Sequence, residues 1–583
     1  MRPFSDEAFA DIDRHFADFI ERFGGNARLM RLGAASLSRS IREGNICLPL
    51  SLPPTNIIGI DEAGAFEWPT VKEWKSAFSN SQAVGGPDAQ TPLVIDASNR
   101  LYLRRYWNYQ ERLGKALRDR AAKNKSTPSG KTGTREGAIE AAVRNSLTII
   151  SGGPGTGKTT AVVDVLMHLV QETGGESLRS ALVAPTGKAA VRLEETIRRR
   201  LQQIDCSEEI KARIPTTAST IHRLLGRKGN SVYFRHDKRN PLPIDLLVID
   251  EASMVALPLL CKLFDALSPN CRVILLGDHE QLASVEPGAV LADIVDAASS
   301  KESPLAHTVV TLEKNYRFGE ESGIHHLAGV VRCGKADRAI GILRERSHSD
   351  LVSREIQSAP KSVTSFSEAI VAGFSSFVTE REPANALKKL ESFRVLAAVR
   401  RGPFGVEGLN REIERILLKA EVIPEHETPS YPGKPLLITK NDYQLQLFNG
   451  DMGVLLPDPA ALENPDQLWA WFIGRETVPR RFALARLPEF QTAYAMTVHK
   501  SQGSEFDRIL FILPDEDSPV LTRELIYTGL TRARSQVELW WNESVLTKAV
   551  TRRAERNSGL RDLLSAPTAK VIPPTQEQLR LFS

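Results

Sequence analysis

The apolar positions change period along the chain, and each period predicts a different kind of element. Near the start Phe4, Phe9, Ile12, Phe16, Phe19 and Ile20 recur at roughly helical spacing, which predicts an amphipathic helix with an aromatic core face. Residues 1 to about 115 therefore read as a mainly helical domain, with 99–104 (NRLYLR) a short strand or a helix start. From Glu136 onward, short apolar runs alternate with longer helical stretches. The runs are 147–151 (LTIIS), 180–184 (SALVA), 245–250 (DLLVID) and 271–276 (CRVILL). A second set follows at 393–397 (FRVLA), around 493–497, at 508–513 (RILFIL) and at 536–540 (QVELW). Buried runs spaced by helices predict parallel sheets covered on both faces, an α/β fold class with a first lobe over 136–312 and a second over 313–550. Between 435 and 484 the texture differs. PLLIT, GVLL, WAWFI and RFALA, separated by Asn-Gly, Asp and Pro, predict a small antiparallel β module inserted in the second lobe at about 415–490.

Polar stretches mark the boundaries. Residues 121–135 (AAKNKSTPSGKTGTR) lack apolar periodicity and read as a flexible linker, placed at 116–135. Residues 227–241 (RKGNSVYFRHDKRNP) read as an exposed basic hairpin inserted in the first lobe. From 551 the chain turns polar and proline-containing, and a loose C-terminal tail is expected.

Composition narrows the picture only modestly. A chain of 583 residues is too long for one core, so several domains are expected. With a net charge of +4 the whole is no polycation, and a nucleic-acid surface has to come from local arrangement. Five scattered cysteines without a C-x-x-C pair point to reduced thiols, not to a disulfide framework or a zinc site. The charged N-terminus and the lack of a long apolar run lead to the expectation of a soluble, cytoplasmic protein.

The chemistry is concentrated where strands end. Residues 147–160, LTIISGGPGTGKTT, run from an apolar strand through glycines into a helical stretch and fit G-x-x-x-x-G-K-[ST]. Glycines let successive backbone N–H groups turn toward phosphate oxygens, and the helix start adds its positive end. The candidate nucleotide-binding residues are Gly152, Gly153, Pro154, Gly155, Thr156, Gly157, Lys158, Thr159 and Thr160. Lys158 is assigned to the β- and γ-phosphates and Thr159 to Mg²⁺. Asp250 and Glu251 end the DLLVID strand; Asp250 is the second Mg²⁺ candidate and Glu251 the group that polarises the attacking water. Gln281, after the CRVILL strand, is placed at the γ-phosphate. Arg317 and Arg532 are candidates to neutralise charge on the transferring phosphoryl group from beyond the first lobe.

These stretches form an ordered series: SGGPGTGKTT, APTGKAA, TIHRLLG, VIDEASM, GDHEQLASVEPGAVL, LEKNYRF, TVHKSQGSEFD and YTGLTRAR. The series resembles the superfamily-one helicases, and its wording most resembles RecD, the alpha subunits of RecBCD enzymes (exodeoxyribonuclease V). The resemblance covers roughly 145–545. It implies two RecA-like lobes with ATP between them, an SH3-like insertion, and ATP-driven 5′-to-3′ movement on single-stranded DNA with unwinding of duplex DNA. It further implies RecB-like and RecC-like partners in a heterotrimer, the N-terminal domain docking on the RecC-like one. The nuclease centre would lie on a partner, and the role would be recombinational break repair and DNA degradation in the bacterial cytoplasm. Pro185, Thr186, Lys188, Thr220, His222, Thr497, His499 and Lys500 become candidate DNA-phosphate contacts, although each position equally suits a helix cap or a polar loop. One departure stands out: 136–145 (EGAIEAAVRN) lacks the upstream Gln that reads adenine in many helicases. A stand-alone RecD-like helicase, which would carry extra N-terminal helix-hairpin domains, an RNA helicase and a catalytically inactive DNA-binding scaffold stay open as alternatives.

Overall fold

The computed structural model describes residues 9–53, 60–61, 64–65, 67–124, 133–172, 178–229, 231–300, 302–356, 366–425, 428–442, 444–460, 466–474 and 478–566. The predicted helical position of Phe4 lies outside them.

The first lobe is built on six parallel strands. In sheet order they are Val309–Leu312, Leu147–Gly152, Arg272–Gly277, Leu246–Ile249, Ser180–Ala184 and Ala218–Thr220. Alternation along each strand sends side chains to two different cores. Ile150, Leu246, Val248, Ile274 and Leu276 pack under the helices Arg135–Arg144, Lys158–Glu172 and Gly187–Gln203. Leu147, Ile149, Leu247, Ile249, Val273 and Leu275 face the helices Leu257–Asp265 and Val290–Ala298. Each such side chain contributes roughly 1.5–3 kcal/mol of burial. All the carboxyl ends of these strands point the same way, so the loops carrying Lys158, Asp250 and Gln281 share one edge.

The second lobe repeats the arrangement with five parallel strands, ordered Leu351–Glu355, Ala533–Trp541, Phe506–Ile512, Phe393–Ala397 and Ala495–Thr497. The expected β module is an antiparallel sheet of Pro435–Ile438, Met452–Pro457, Leu468–Ile473 and Pro479–Ala483, whose fifth strand, Phe490–Thr492, returns to pair with the first. The stretch 227–241 is exposed as expected, but among its described residues there are no regular hairpin strands. Isolated bridges, Arg227 with Phe234 and Asp237 with Asn240, hold it.

One expectation gains a detail and one needs correction. The N-terminal region is mainly helical, as expected, and it also carries a small sheet. Helices Asp11–Glu21, Ala27–Arg42 and Val71–Phe78 pack with a four-stranded sheet of Cys47–Pro49, Arg100–Leu103, Leu93–Ile95 and Val84–Gly85. Both readings of NRLYLR hold in turn: its strand runs straight into the helix Arg104–Ala121. That helix crosses residue 115 and buries Leu113 and Leu117 with Leu260 and Phe264 of the first lobe. Of the expected linker, 125–132 lie outside the described residues.

The correction concerns the C-terminal stretch, which is no loose tail as far as residue 566. Arg556 donates to the carbonyls of Gly44 (2.8 Å) and Ser284 (3.1 Å), and Asn557 exchanges bonds with Asn45 and Ile46. Helix Leu560–Ser565 then wedges between Arg104–Ala121 and Val290–Ala298, where Gly114 leaves room for Leu563. Polarity misled because the segment's apolar anchors are few, Leu560 and Leu564 fully buried and Leu563 partly, and the rest binds through arginine and backbone. Residues 567–583 lie outside the described chain.

Candidate functional site: a nucleotide cleft between two lobes

The phosphate loop follows its strand into helix Lys158–Glu172, with Gly155 and Gly157 at φ of 81° and 80°, a conformation that favours glycine. Lys158 Nζ donates to the carbonyls of Gly152 (2.6 Å) and Gly153 (2.9 Å), and Thr156 Oγ1 to Gly153 (2.8 Å). Thr159 Oγ1 donates to Asp250 Oδ2 at 3.2 Å. Burial, reinforced by the neighbouring Glu251 charge, pushes Asp250 up to about 6. A hydroxyl and a buried carboxylate side by side are the hard oxygen donors a divalent ion takes. Glu251 holds a left-handed φ of 51°, a strained conformation for a side chain with Cβ.

From the next strand, Asp278 and Gln281 are buried together. Gln281 Nε2 donates to Asp278 Oδ2 (3.0 Å), and the same oxygen accepts from Tyr527 of the second lobe (2.9 Å). Gln281 Oε1 accepts from Arg532 Nη2 at 3.1 Å. Arg532 is 2% exposed, and its other donors go to the carbonyls of Thr528 and Ser504. Burial lowers its proton affinity, against the pull of Glu251 and Glu505. Two backbone contacts close this seam: Leu282 N to Thr528 Oγ1 (3.0 Å) and Gln502 Nε2 to Leu282 O (2.7 Å).

The segment after Leu312 lies on the phosphate loop. Asn315 Nδ2 donates to Pro154 O (3.0 Å) and Tyr316 N to Gly155 O (2.8 Å). Arg317 turns away from the loop and pairs with Glu505 at 2.5 Å. The structure thus brings Lys158, Thr159, Asp250, Gln281 and Arg532 to one cleft and leaves the Arg317 guanidinium at its rim.

The proposed DNA contacts divide. Lys188, Thr220 and His222 line a groove of about 1800 Å³ that runs between the first lobe and the β module, with Arg198, Arg227 and Phe448. Burial depresses Lys188 and His222, the latter resting 5.8 Å from the Phe234 ring. Pro185 and Thr186 begin helix Gly187–Gln203, and the Thr186 hydroxyl accepts from Ala189 N. Thr220 caps Ile221–Leu225 and Thr497 the turn at Lys500 in the same manner. His499 is pushed down by burial, and Lys500 donates to Asn449 of the β module (2.6 Å).

Several site residues carried no separate assignment in the sequence: Asp278, Tyr316, Glu505, Tyr527 and Arg192. A weak signal existed for Glu505. A carboxylate directly before an apolar strand must find cations if that strand is central.

The family model "AAA domain" matches 135–287 and "UvrD-like helicase C-terminal domain" matches 492–539. The model "RecBCD enzyme subunit RecD, N-terminal domain" matches 5–102. RecBCD enzyme subunit RecD of Mycobacterium tuberculosis is 37% identical over 96% of both chains. The chain belongs to the RecD family. RecD of Mycolicibacterium smegmatis is likewise 37% identical, over 96% of this chain and 98% of its own. The ATP-dependent RecD2 DNA helicase of Deinococcus radiodurans is 32% identical over 72% of this chain and 50% of its own. Among solved structures, Pif1 helicase from Bacteroides with ADP-AlF3 and single-stranded DNA aligns over 72% of this chain and 94% of that chain, at 17% identity and a TM-score of 0.39. As a RecD-family protein this is an ATP-dependent DNA helicase of superfamily one. Among the described residues no helix is long and apolar enough to cross a membrane, and no cluster of three or more His, Cys, Asp or Glu side chains could hold a metal.

Proposed function

We propose that the protein is a 5′-to-3′ translocase on single-stranded DNA that unwinds duplex DNA as the RecD motor of a RecBCD-type heterotrimer. The observation that carries this reading is the junction of Gln281 with Arg532, one from each lobe, beside the phosphate loop. A guanidinium so placed neutralises transferring phosphoryl charge only when the lobes are together, so turnover and lobe movement are linked.

In this reading Gly152 to Thr160 cradle the triphosphate of ATP and Lys158 exchanges its loop carbonyls for β- and γ-phosphate oxygens. Thr159 and Asp250 hold Mg²⁺, which when bound neutralises phosphate charge. Glu251 polarises the attacking water and Gln281 orients it. Tyr316, 61% exposed beside Gly157, offers a stacking face for adenine and answers the missing upstream Gln. Strand order and the 3₁₀ turn Leu484–Arg486 before its last strand support an SH3-like reading of the β module. The groove beneath that module is the DNA path, with Pro185, Thr186, Lys188, Thr220, His222, Thr497, His499 and Lys500 at phosphates. Phosphate contacts carry no base information and suit a motor that travels any sequence.

RecB-like and RecC-like partners, the N-terminal domain docking on the RecC-like one, and a cytoplasmic location belong to this reading, and family membership supports them. The decisive assay is ATP hydrolysis with and without oligonucleotides. Strong stimulation by DNA, weaker by RNA of equal length, and no turnover in Lys158→Gln are expected. Undiminished hydrolysis by Lys158→Gln would refute the assignment, and a wild type without turnover would favour the inactive scaffold.

A further inference from the structure

We propose that Glu505 is a positioning residue that parks Arg317 off the phosphate loop until nucleotide is bound, and that Arg192 loosens this hold. The inference rests on the nucleotide reading above.

Glu505 opens the central strand Phe506–Ile512 and is 8% exposed. A carboxylate buried there requires cations. They come from separate parts of the chain: Arg192 on helix Gly187–Gln203 of the first lobe, Arg317 at 2.5 Å, and Arg534 at 3.7 Å. Arg534 divides its charge further, with Glu391 at 3.0 Å and Asp507 at 3.3 Å. Burial alone would raise the Glu505 carboxyl, but Arg192, Arg317 and Arg532 outweigh it and hold it down at about 2. It is ionised at any working pH.

Arg317 is rooted on the phosphate loop. A Cβ built on Gly155 would come within 2.5 Å of the Arg317 Cβ, and the Arg317 amide is fixed by Asn315 Oδ1 at 2.8 Å. Only the guanidinium points elsewhere. Its Nη2 donates to Glu505, while its Nη1 is buried and has no hydrogen-bond partner among the described residues. A buried donor left unmatched beside a matched one marks a group built for a second acceptor. A phosphate oxygen on the adjacent loop is that acceptor. Arg317, Glu505, Arg192 and Arg534 all line the interlobe groove, so the guanidinium has space in which to swing.

Arg317 therefore has two anionic stations and one root, which is a two-state element that bound nucleotide biases. Arg192 shares the Glu505 carboxylate. Without it, the carboxylate charge falls more heavily on Arg317, with Arg534 at 3.7 Å the more distant sharer, and the park deepens. Without the carboxylate charge, the park is lost. The two substitutions act in opposite directions on the same step.

The test is steady-state ATP hydrolysis by the full chain without DNA, with kcat and KM separated, for wild type, Glu505→Gln, Glu505→Asp and Arg192→Met. Glu505→Gln is expected to raise DNA-free kcat/KM roughly threefold or more, since it releases one charge-assisted bond. Arg192→Met is expected to lower it by a similar factor, and Glu505→Asp to stay close to wild type. A decrease in both Glu505→Gln and Arg192→Met would mean a purely structural role, and an increased KM in Glu505→Gln would mean direct nucleotide contact; either overturns the proposal. Unchanged variants in a DNA-stimulated enzyme overturn this proposal alone. A wild type without ATPase overturns it together with the reading beneath it.

Discussion

Arg532 reaches Gln281 with one nitrogen while its remaining donors are held by backbone carbonyls of its own lobe. Such a guanidinium is fixed before the reaction, which is what transition-state stabilisation demands. Arg532→Ala should lower kcat by about 10³-fold or more with smaller change in nucleotide affinity. Arg532→Lys should not restore it, because a single ammonium cannot span Gln281, Ser504 and Thr528 together. Stopped-flow nucleotide binding beside steady-state turnover separates the two effects, and equal losses in both would refute the role. Residues of this kind were legible in the sequence because phosphate chemistry restricts what can follow each strand. Glu505 was not, because a glutamate before a strand has many uses and its three arginines lie far apart in the chain.

Among the elements, the C-terminal strap is the one whose behaviour the sequence concealed. After helix Glu543–Thr551 it leaves the second lobe, anchored by Arg552 to Asp517 (2.8 Å), and ends as helix Leu560–Ser565 against the first lobe and the helix Arg104–Ala121. Its interface holds Asp293, whose Oδ2 is buried without a partner among the described residues. Burial pushes Asp293 up to about 7, eased by a bond from Ser558, with Asp296 and Asp562 raising it and Arg561 lowering it. The carboxyl is thus protonated more readily folded than unfolded. Its stabilising contribution is full below the unfolded value of 3.8 and is lost as pH rises through about 7. Asp293→Asn should flatten the fall in melting temperature between about pH 4 and about pH 7. An identical slope in wild type and variant would contradict this. Truncation after Thr551 should lower the melting temperature and expose the N-terminal domain to protease, and limited proteolysis reads it. Parallel strands were foreseeable from their continuous apolar runs. The strap was not, since its partners, such as Gly44 with Arg556, are brought close only by the completed fold.

At the scale of the whole molecule, two parallel α/β lobes meet along a seam of named bonds, Tyr527 with Asp278, Thr528 with Leu282, and Gln502 with Leu282. The N-terminal domain is packed on the first lobe by Arg104–Ala121 and strapped there by Arg556 and Asn557. It should therefore travel with the first lobe while the second lobe opens and closes. The α/β class and the lobe order were readable from periodicity and motif sequence, and the antiparallel module from its change of period. The four-stranded sheet of the N-terminal domain escaped because its strands are two to four residues long, too short for alternation to register. Directed, ATP-driven movement on DNA is read from displacement of streptavidin from single strands biotinylated at one end. ATP-dependent release from the 3′ end and none in Lys158→Gln are expected; release from the 5′ end, or release without ATP, would rule out 5′-to-3′ translocation.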